Sequence, residues 1–486
     1  MTEEIEQIQI AENIFFYSEN IPLEFLSLSD RKELKVFYDS NSEIKFSNSF
    51  RLALYKMFFC LKVKKSKTGS RSYYFIKLKR LLAVADILRG LSARKSSVRI
   101  YEYCLNIAIK NKLDWAIIKS SRQLYTHAAY FESNIKKANR INKIFEEAKK
   151  KNDLEIECEK AFIFIAYHFT KSKEHTLKIK QELELNFEHL DSIPNIDRSI
   201  LFNRYLRFIG IMNFEVKNDI GGLIDYLAIQ VKNIKSCGVD LPSDLNMTYK
   251  YLCEYSLRIE KYSLFDKYYS DGISLVKKRS GSWFRYRELL ALQKLRQLKF
   301  IEAQDILLNL INTRSFTVLQ HLQKRRIELK LLYVSLILII SDKRIKKSKS
   351  VLNKYNDYFQ SMPEYRTDKK AMNISLIIFQ LIYYVWKKDY EMLDLRFEAV
   401  DKYLRRYTKS SPLFRSHSFI RILLTLKRYN FITKGAERNY VRYLENLQSM
   451  PFKSSPHPGE IEIIFYEDLI ESINSYLSYD RKSKTG

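Results

Sequence analysis

The chain is short of the residues that make tight turns. Only 11 glycines and 8 prolines occur among 486 residues, too few for the repeated reversals of an all-β chain, and the Gly-x-Gly clusters of nucleotide-binding α/β folds are missing. Cysteine is scarce as well. Cys60, Cys104, Cys158, Cys237 and Cys253 are odd in number, widely spaced and without a Cys-x-x-Cys pair, which argues against a disulfide framework or a zinc ribbon and fits a reducing compartment. The opening MTEEIEQIQIAENIFFYSEN carries acids where a secretory leader carries bases. The most apolar stretches, Leu331 to Ile340 and Ile374 to Trp386, fall short of the roughly 20 residues of a bilayer span. They predict buried helices of a cytoplasmic protein with no membrane span.

What is present points to helices. A hydrophobic content of 46% excludes disorder, and the length exceeds one compact core, so the chain is several domains or an array whose core extends lengthwise. Phe300, Ala303, Ile306, Leu307, Leu310 and Ile311 recur at offsets of three and four, as one stripe of a helix requires. Ile135, Ala138, Ile141, Ile144, Phe145 and Ala148 repeat the pattern, and so do Tyr390, Leu393, Phe397, Val400 and Leu404. We read about eighteen helices of about 12 to 22 residues. Pro194, Pro242, Pro363, Pro412 and Pro451 fall between periodic segments, where a residue without an N–H does no damage. Ser411 before Pro412 is a helix start, and Asp114, Ser133 and Asp197 stand at similar cap positions. Short loops make consecutive helices antiparallel neighbours.

The stretch LQKLRQLKFIEAQDILLNLI, Leu292 to Ile311, resembles the turn and second helix of a tetratricopeptide repeat (TPR), with an aromatic at Phe300 and a small residue at Ala303. Ile135 with Ala138, Ile345 with Ser348 and Tyr390 with Leu393 echo it, and the sites at Phe300, Ile345 and Tyr390 are spaced by about 45 residues against the 34 of an ordinary repeat. Position 393 is Leu where the family places a small residue, and the family's Trp and Leu-Gly signature in the first helix is missing. The N-terminal part, LSLSDRKELKVFYDSNS followed by LKRLLAVADILRGLSARKSSVRIYEYCLNIAI, is similar to the opening of uncharacterised bacterial helical-repeat proteins. The resemblance implies an all-α, TPR-like α-solenoid of stacked antiparallel hairpins. Its expected divisions are an N-terminal helical cap over 1–95, a repeat array over 96–450, and a capping helix with a short basic tail over 451–486. Lys482 and Lys484 lie in that tail, which is expected to be disordered.

Candidate chemistry is thin. His168 and His175 are seven residues apart, not the i, i+4 spacing of a helical zinc pair, so no metal site is expected. Glu155, Glu157 and Glu159 alternate, which spreads carboxylates around a helix and predicts a solvated face. Cys158 lies among them, and acidic neighbours raise a thiol's pKa, against a nucleophilic role. KSKTG at Lys65 to Gly69 lacks the glycine-rich lead of a phosphate loop. The chain is expected to be non-enzymatic, with no catalytic residue and no cofactor.

Lys and Arg total 84 against 56 Asp and Glu, a net charge of +28. Such a chain attracts phosphate polymers at low salt. It is also rich in Lys, Asn, Ile and Tyr together, the set that A/T-rich codons produce, so genomic composition is a second source of the excess. The bases cluster at Lys62, Lys64, Lys65, Lys67 and Arg71, at Lys343, Arg344, Lys346, Lys347 and Lys349, and at Arg405, Arg406 and Lys409. Near a helix C-terminus such residues complement the macrodipole without any ligand. If instead they line one rim of a superhelix, Lys64, Lys65, Lys67, Arg71, Lys343, Arg344, Lys346, Lys347, Arg405 and Arg406 are the candidate nucleic-acid contacts. Tyrosines beside bases, at Arg406 with Tyr407, Arg428 with Tyr429 and Arg442 with Tyr443, supply stacking platforms in that case and repeat core otherwise. Three functions stay open. They are an interaction scaffold holding a peptide or partner protein in its groove, a sequence-independent nucleic-acid binder, and a regulator that closes on a small effector.

Overall fold

The computed structural model describes residues 71–90, 94–171, 177–355, 372–407, 414–431, 433–449 and 462–485. Lys64, Lys65, Lys67, the KSKTG turn and the Ser411 to Pro412 helix start lie outside the described residues. Among the described residues every regular element is helical, with no strand. In chain order the α-helices are α1 Arg71–Gly90, α2 Arg94–Lys110, α3 Asp114–Tyr130, α4 Ile135–Lys171, α5 Leu177–Ser192, α6 Ile200–Lys217, α7 Ile220–Ser236, α8 Pro242–Arg258 and α9 Tyr262–Ser274. They continue with α10 Gly281–Arg296, α11 Phe300–Ile311, α12 His321–Ile340, α13 Ile345–Lys354, α14 Met372–Lys387, α15 Tyr390–Tyr407, α16 Phe414–Arg428, α17 Thr433–Ser449 and α18 Tyr466–Thr485. Helix α4 is longer than the sequence pattern predicts, and α18 runs through Lys482 and Lys484, where a disordered tail is expected. No helix among the described residues is long and apolar enough to cross a membrane.

One turn recurs. After α2, α6, α8, α10, α12, α14 and α16 the chain passes through a left-handed residue that is not glycine: Lys112, Asn218, Glu260, Leu298, Asp342, Lys388 and Asn430. At each, two backbone bonds close the helix end. Leu298 N–H reaches the Leu295 carbonyl at 3.1 Å and Lys299 N–H reaches the Lys294 carbonyl at 2.8 Å, and the same i−3 and i−5 pairing holds at Lys112, Asn218, Glu260, Asp342, Lys388 and Asn430. This is the Schellman ending, which satisfies carbonyls that a helix leaves open and turns the chain back on itself. Glycine is its usual residue. Using Lys, Asn, Glu, Leu or Asp there explains how a chain with so few glycines makes so many reversals.

The chain divides into two compact units. One comprises Met1–Thr170, Gln181–Ile209 and Asn233–Leu241, the other Lys171–Lys180, Gly210–Lys232 and Pro242–Gly486. In the first, α1, α2 and α3 pack on one another around Leu78, Leu82, Ile100, Cys104, Ala116 and Leu124. In the second, each helix from α8 to α12 packs on the next, and α8 with α10, α10 with α12 and α12 with α14 also touch. The aromatic or aliphatic and small-residue pairs singled out in the sequence occupy equivalent places in their helices. Phe300, Ile345, Tyr390 and Ile135 are each the first residue of a helix, and Ala303, Ser348, Leu393 and Ala138 are all buried.

Helix α12 is the middle of the second unit. From Leu329 to Ile339 every residue is buried, because α10, α11, α13, α14 and α18 surround it. A helix apolar all round has no solvent face, so the Leu331 to Ile340 stretch is a core helix as its composition predicts. Gln304 of α11 ties it to α13, its Nε2 donating to Ser335 Oγ at 3.1 Å and to Ser348 Oγ at 2.9 Å. In its first half α12 carries a buried base, Lys330, and a partly buried one, Arg326. Lys330 Nζ, 5% exposed, donates to Glu288 Oε1 at 2.8 Å, and Arg326 Nη2 donates to Glu288 Oε2 at 2.6 Å. Arg285 bridges the same carboxylate at 2.9 Å and Glu254 of α8 at 2.6 Å. Burial opposes ionisation of Glu288, but Lys330, Arg285 and Arg326 together hold its carboxyl well below the usual range. A second clamp closes the C-terminal end, where Arg415, 1% exposed, donates to Glu462 at 2.5 Å, to the Leu447 carbonyl at 2.7 Å and to Glu467 at 2.7 Å.

Some caps sit later than the sequence predicts. Asn134, not Ser133, accepts from Lys137 N–H at 3.0 Å, and Ser199, not Asp197, accepts from Phe202 N–H at 2.9 Å. Asp114 is the first residue of α3 behind the cap residue Leu113, which makes no side-chain cap bond.

Two stability outcomes follow from these contacts. Glu288→Gln strands the buried Lys330 and should lower the unfolding free energy by about 3–5 kcal/mol in urea denaturation. Because the folded-state pKa of Glu288 is depressed, its contribution is present above about pH 4.3 and is lost as pH falls through the lower folded value, so the gap between wild type and variant should narrow in acid. Leu298→Gly, at a half-exposed left-handed position, should instead raise stability by about 1 kcal/mol in the same assay.

Candidate functional site

The basic clusters come apart in the structure. Arg71 Nε and Nη2 donate to the Asn111 and Lys112 carbonyls at 3.2 and 3.0 Å, so this base holds the end of α2. Arg344 and Lys347 both reach Asp305 of α11, at 2.7 and 3.0 Å. Hydrogen bonding from Arg344 leads the causes that hold the Asp305 carboxyl below its usual range. Lys343, Lys346 and Lys349 are exposed, and no carboxylate among the described residues pairs with them. This cluster follows the end of α12, but Arg344 to Lys349 open α13, the positive end of that helix, with no acid in its first turn. The macrodipole therefore does not explain it. Arg405 and Arg406 fall in the last turn of α15, where the side chains lie outside the described residues.

The alternating acids of α4 correct the sequence expectation of a solvated face. Ser199 Oγ, at the cap of α6, donates to Glu155 at 2.5 Å, and Tyr205 Oη, within α6, donates to Glu159 at 2.7 Å. Between them Cys158 Sγ lies 3.7 Å from the Phe202 carbonyl. Glu157 is exposed, 3.1 Å from His189 of α5. Carboxylates two apart on a helix diverge, yet α6 lies broadly enough on α4 to engage two of the three. Burial, then Glu157, pushes the Cys158 thiol up to about 12. That direction is the one its acidic neighbours predict.

On the other side of Ser199 the first unit holds a half-open cavity of about 670 Å³. Ile109, Ile117, Ile144 and Ile200 give it aliphatic walls from four helices. Asp114, Lys151, Lys112 and Glu147 give it charge of both signs. Burial pushes the Asp114 carboxyl up, although Lys151, Arg71 and Lys112 pull it down. Its neighbour Glu155 is also raised by burial, against the hydrogen bond from Ser199. Arg198, at the same wall, already donates to the Ile193 and Asp191 carbonyls. Cys237, half-buried, closes one side. Sequence reasoning treats Asp114 as a cap and does not connect it with Lys151 or Cys237, because side chains so far apart in the chain share no local pattern. Among the described residues no group of three or more His, Cys, Asp or Glu converges as a metal site would require. Comparison of the chain with protein-family models, curated proteins and solved structures finds no match.

The thiols provide a check on this description. Cys104 and Cys158 are buried with thiols pushed up to about 12, and Cys253 is buried with its thiol raised, all chiefly by burial. Iodoacetamide at pH 8 should label Cys237 well before those three, which should react only on unfolding, as peptide mass spectrometry would show.

Proposed function

We propose that this chain is a non-enzymatic interaction scaffold, its helices arranged as degenerate TPR-like hairpins that hold a partner protein. The observation that carries the reading is the recurrent turn. From Asn218 through Glu260, Leu298, Asp342 and Lys388 to Asn430 the separations are 42, 38, 44, 46 and 42 residues, and a hairpin repeated at a near-constant period is the unit of α-solenoids. Packing of α8 on α10, α10 on α12 and α12 on α14 supports it, since each hairpin then completes the core of the next. The family-level resemblance at Phe300 and Ala303 supports it too.

An exposed apolar stripe on α4 supports a place for the partner there. Ile156, Ile163, Phe164 and Tyr167 are exposed at offsets of seven, eight and eleven, one apolar stripe of a helix with Asp153 and Glu157 beside it. Isolated exposed apolar residues are ordinary, whereas a stripe of this kind is the surface onto which an amphipathic helix packs. The acidic flank favours a partner helix with basic edges. Sequence-independent nucleic-acid binding is a second reading, favoured by Lys343, Lys346 and Lys349 at the start of α13. With three such contacts its affinity should fall with a log-log salt slope of about −2 to −3.

The two readings separate in one experiment. Tagged protein is purified from its native cells with and without nuclease, beside an Ile163→Glu, Phe164→Glu variant of unchanged helicity. The scaffold reading expects a stoichiometric protein that survives nuclease and moderate salt and is lost from the variant. Nucleic acid alone, released as salt rises, would overturn it.

A further inference from the structure

We infer that the cavity of the first unit is a binding site for a small zwitterion with an aliphatic body, of the amino-acid or short-peptide class. The inference does not depend on the scaffold reading. Its basis is the combination of walls and charges. At about 670 Å³ the cavity lies within the size range of ligand pockets, and Ile109, Ile117, Ile144 and Ile200 line an aliphatic part of it, beside the polar Asn203, Asn233 and Ser236. An apolar group with branched or linear carbon chains is what such walls accept.

The charged groups then decide the head. Asp114 and Lys151 are close enough to interact, and Lys112 stands beside them. A purely anionic ligand would meet Lys151 and Lys112 but also face Glu147 and Asp114, the latter with a carboxylate already poorly solvated. A purely cationic ligand would relieve Asp114 and be repelled by the two lysines. A group carrying ammonium and carboxylate together answers both: the ammonium donates to Asp114 and the carboxylate accepts from Lys151 and Lys112. Arg71, bonded to the Asn111 and Lys112 carbonyls, fixes the backbone that places Lys112 and starts α3. Arg198 adds a third positive charge to the lining, its Nε and Nη2 held by the Ile193 and Asp191 carbonyls.

The fold tolerates the variants needed to test this. The Asp114 carboxyl is raised in the folded chain, so its ionised form weakens the fold above the folded pKa, and that loss disappears as pH falls towards the unfolded value near about 3.9. Asp114→Asn removes the loss and should keep or raise the thermal midpoint at pH 7. Lys151→Met preserves the apolar stem.

The probes are leucine and leucyl-leucine, measured by calorimetry on the full chain, with N-acetyl-leucyl-leucine and leucyl-leucine amide as blocked controls. At least one free probe should bind saturably below about 1 mM, both blocked forms should bind at least tenfold more weakly, and Asp114→Asn and Lys151→Met should each lose tenfold or more. The bound probe should also slow iodoacetamide labelling of Cys237 in the unmodified protein, a readout that needs no variant. Absence of saturable binding by both free probes, or equal binding by blocked and free forms, would overturn the assignment. So would binding that leaves Cys237 labelling unchanged.

Discussion

A helix can be buried on every side only if the chain that enters and leaves it turns sharply and leaves no backbone group unpaired, and in this protein that requirement falls on the left-handed turns. Each of the seven Schellman endings pairs two carbonyls that the helix leaves open and sends the next helix back alongside. Without them α12 could not lie among α10, α11, α13, α14 and α18. The turns tolerate Lys, Asn, Glu, Leu and Asp in a conformation that glycine adopts at no steric cost. The strain is offset by the apolar surface the hairpins bury.

Burial on that scale has an electrostatic consequence. Helix α12 brings Lys330 into the core with the partly buried Arg326 beside it, and the chain answers with one carboxylate, Glu288, shared by three bases. Such a cluster need not add stability over an apolar core, but it admits one register of α10 against α12. Gln304 between Ser335 and Ser348, and Arg415 between Glu462 and Glu467, act in the same way on α13 and α18. Apolar contacts among Leu and Ile side chains set no such register, since many offsets bury similar area.

Much of the fold was legible in the sequence, and the reason is periodicity. The offsets of three and four around Ala303 and Leu393 mark helices whose first residues are Phe300 and Tyr390. Leu331 to Ile340 declares itself a core helix by having no polar face. The turns were not legible, because Leu298 or Lys388 carries no mark of a left-handed conformation as glycine would. The candidate sites were less legible still. A run of lysines shows its charge but not the Asp305 that neutralises Arg344 and Lys347, and Asp114 gains its place in a cavity only from helices far along the chain. Glu155 and Glu159 look solvated by spacing alone because α6, the helix that covers them, is invisible from α4.

On the proposed reading the second unit is a stack of hairpins around α12 in which each hairpin depends on its neighbours. Native-state hydrogen exchange with site resolution tests that most directly. Amides from Leu331 to Ile339 should exchange only through global unfolding, and those of α8 and α9, at one end of the stack, should open earlier through partial unfolding. Equal protection across all helices of the unit, or earlier exchange in α12 than in α8, would contradict it.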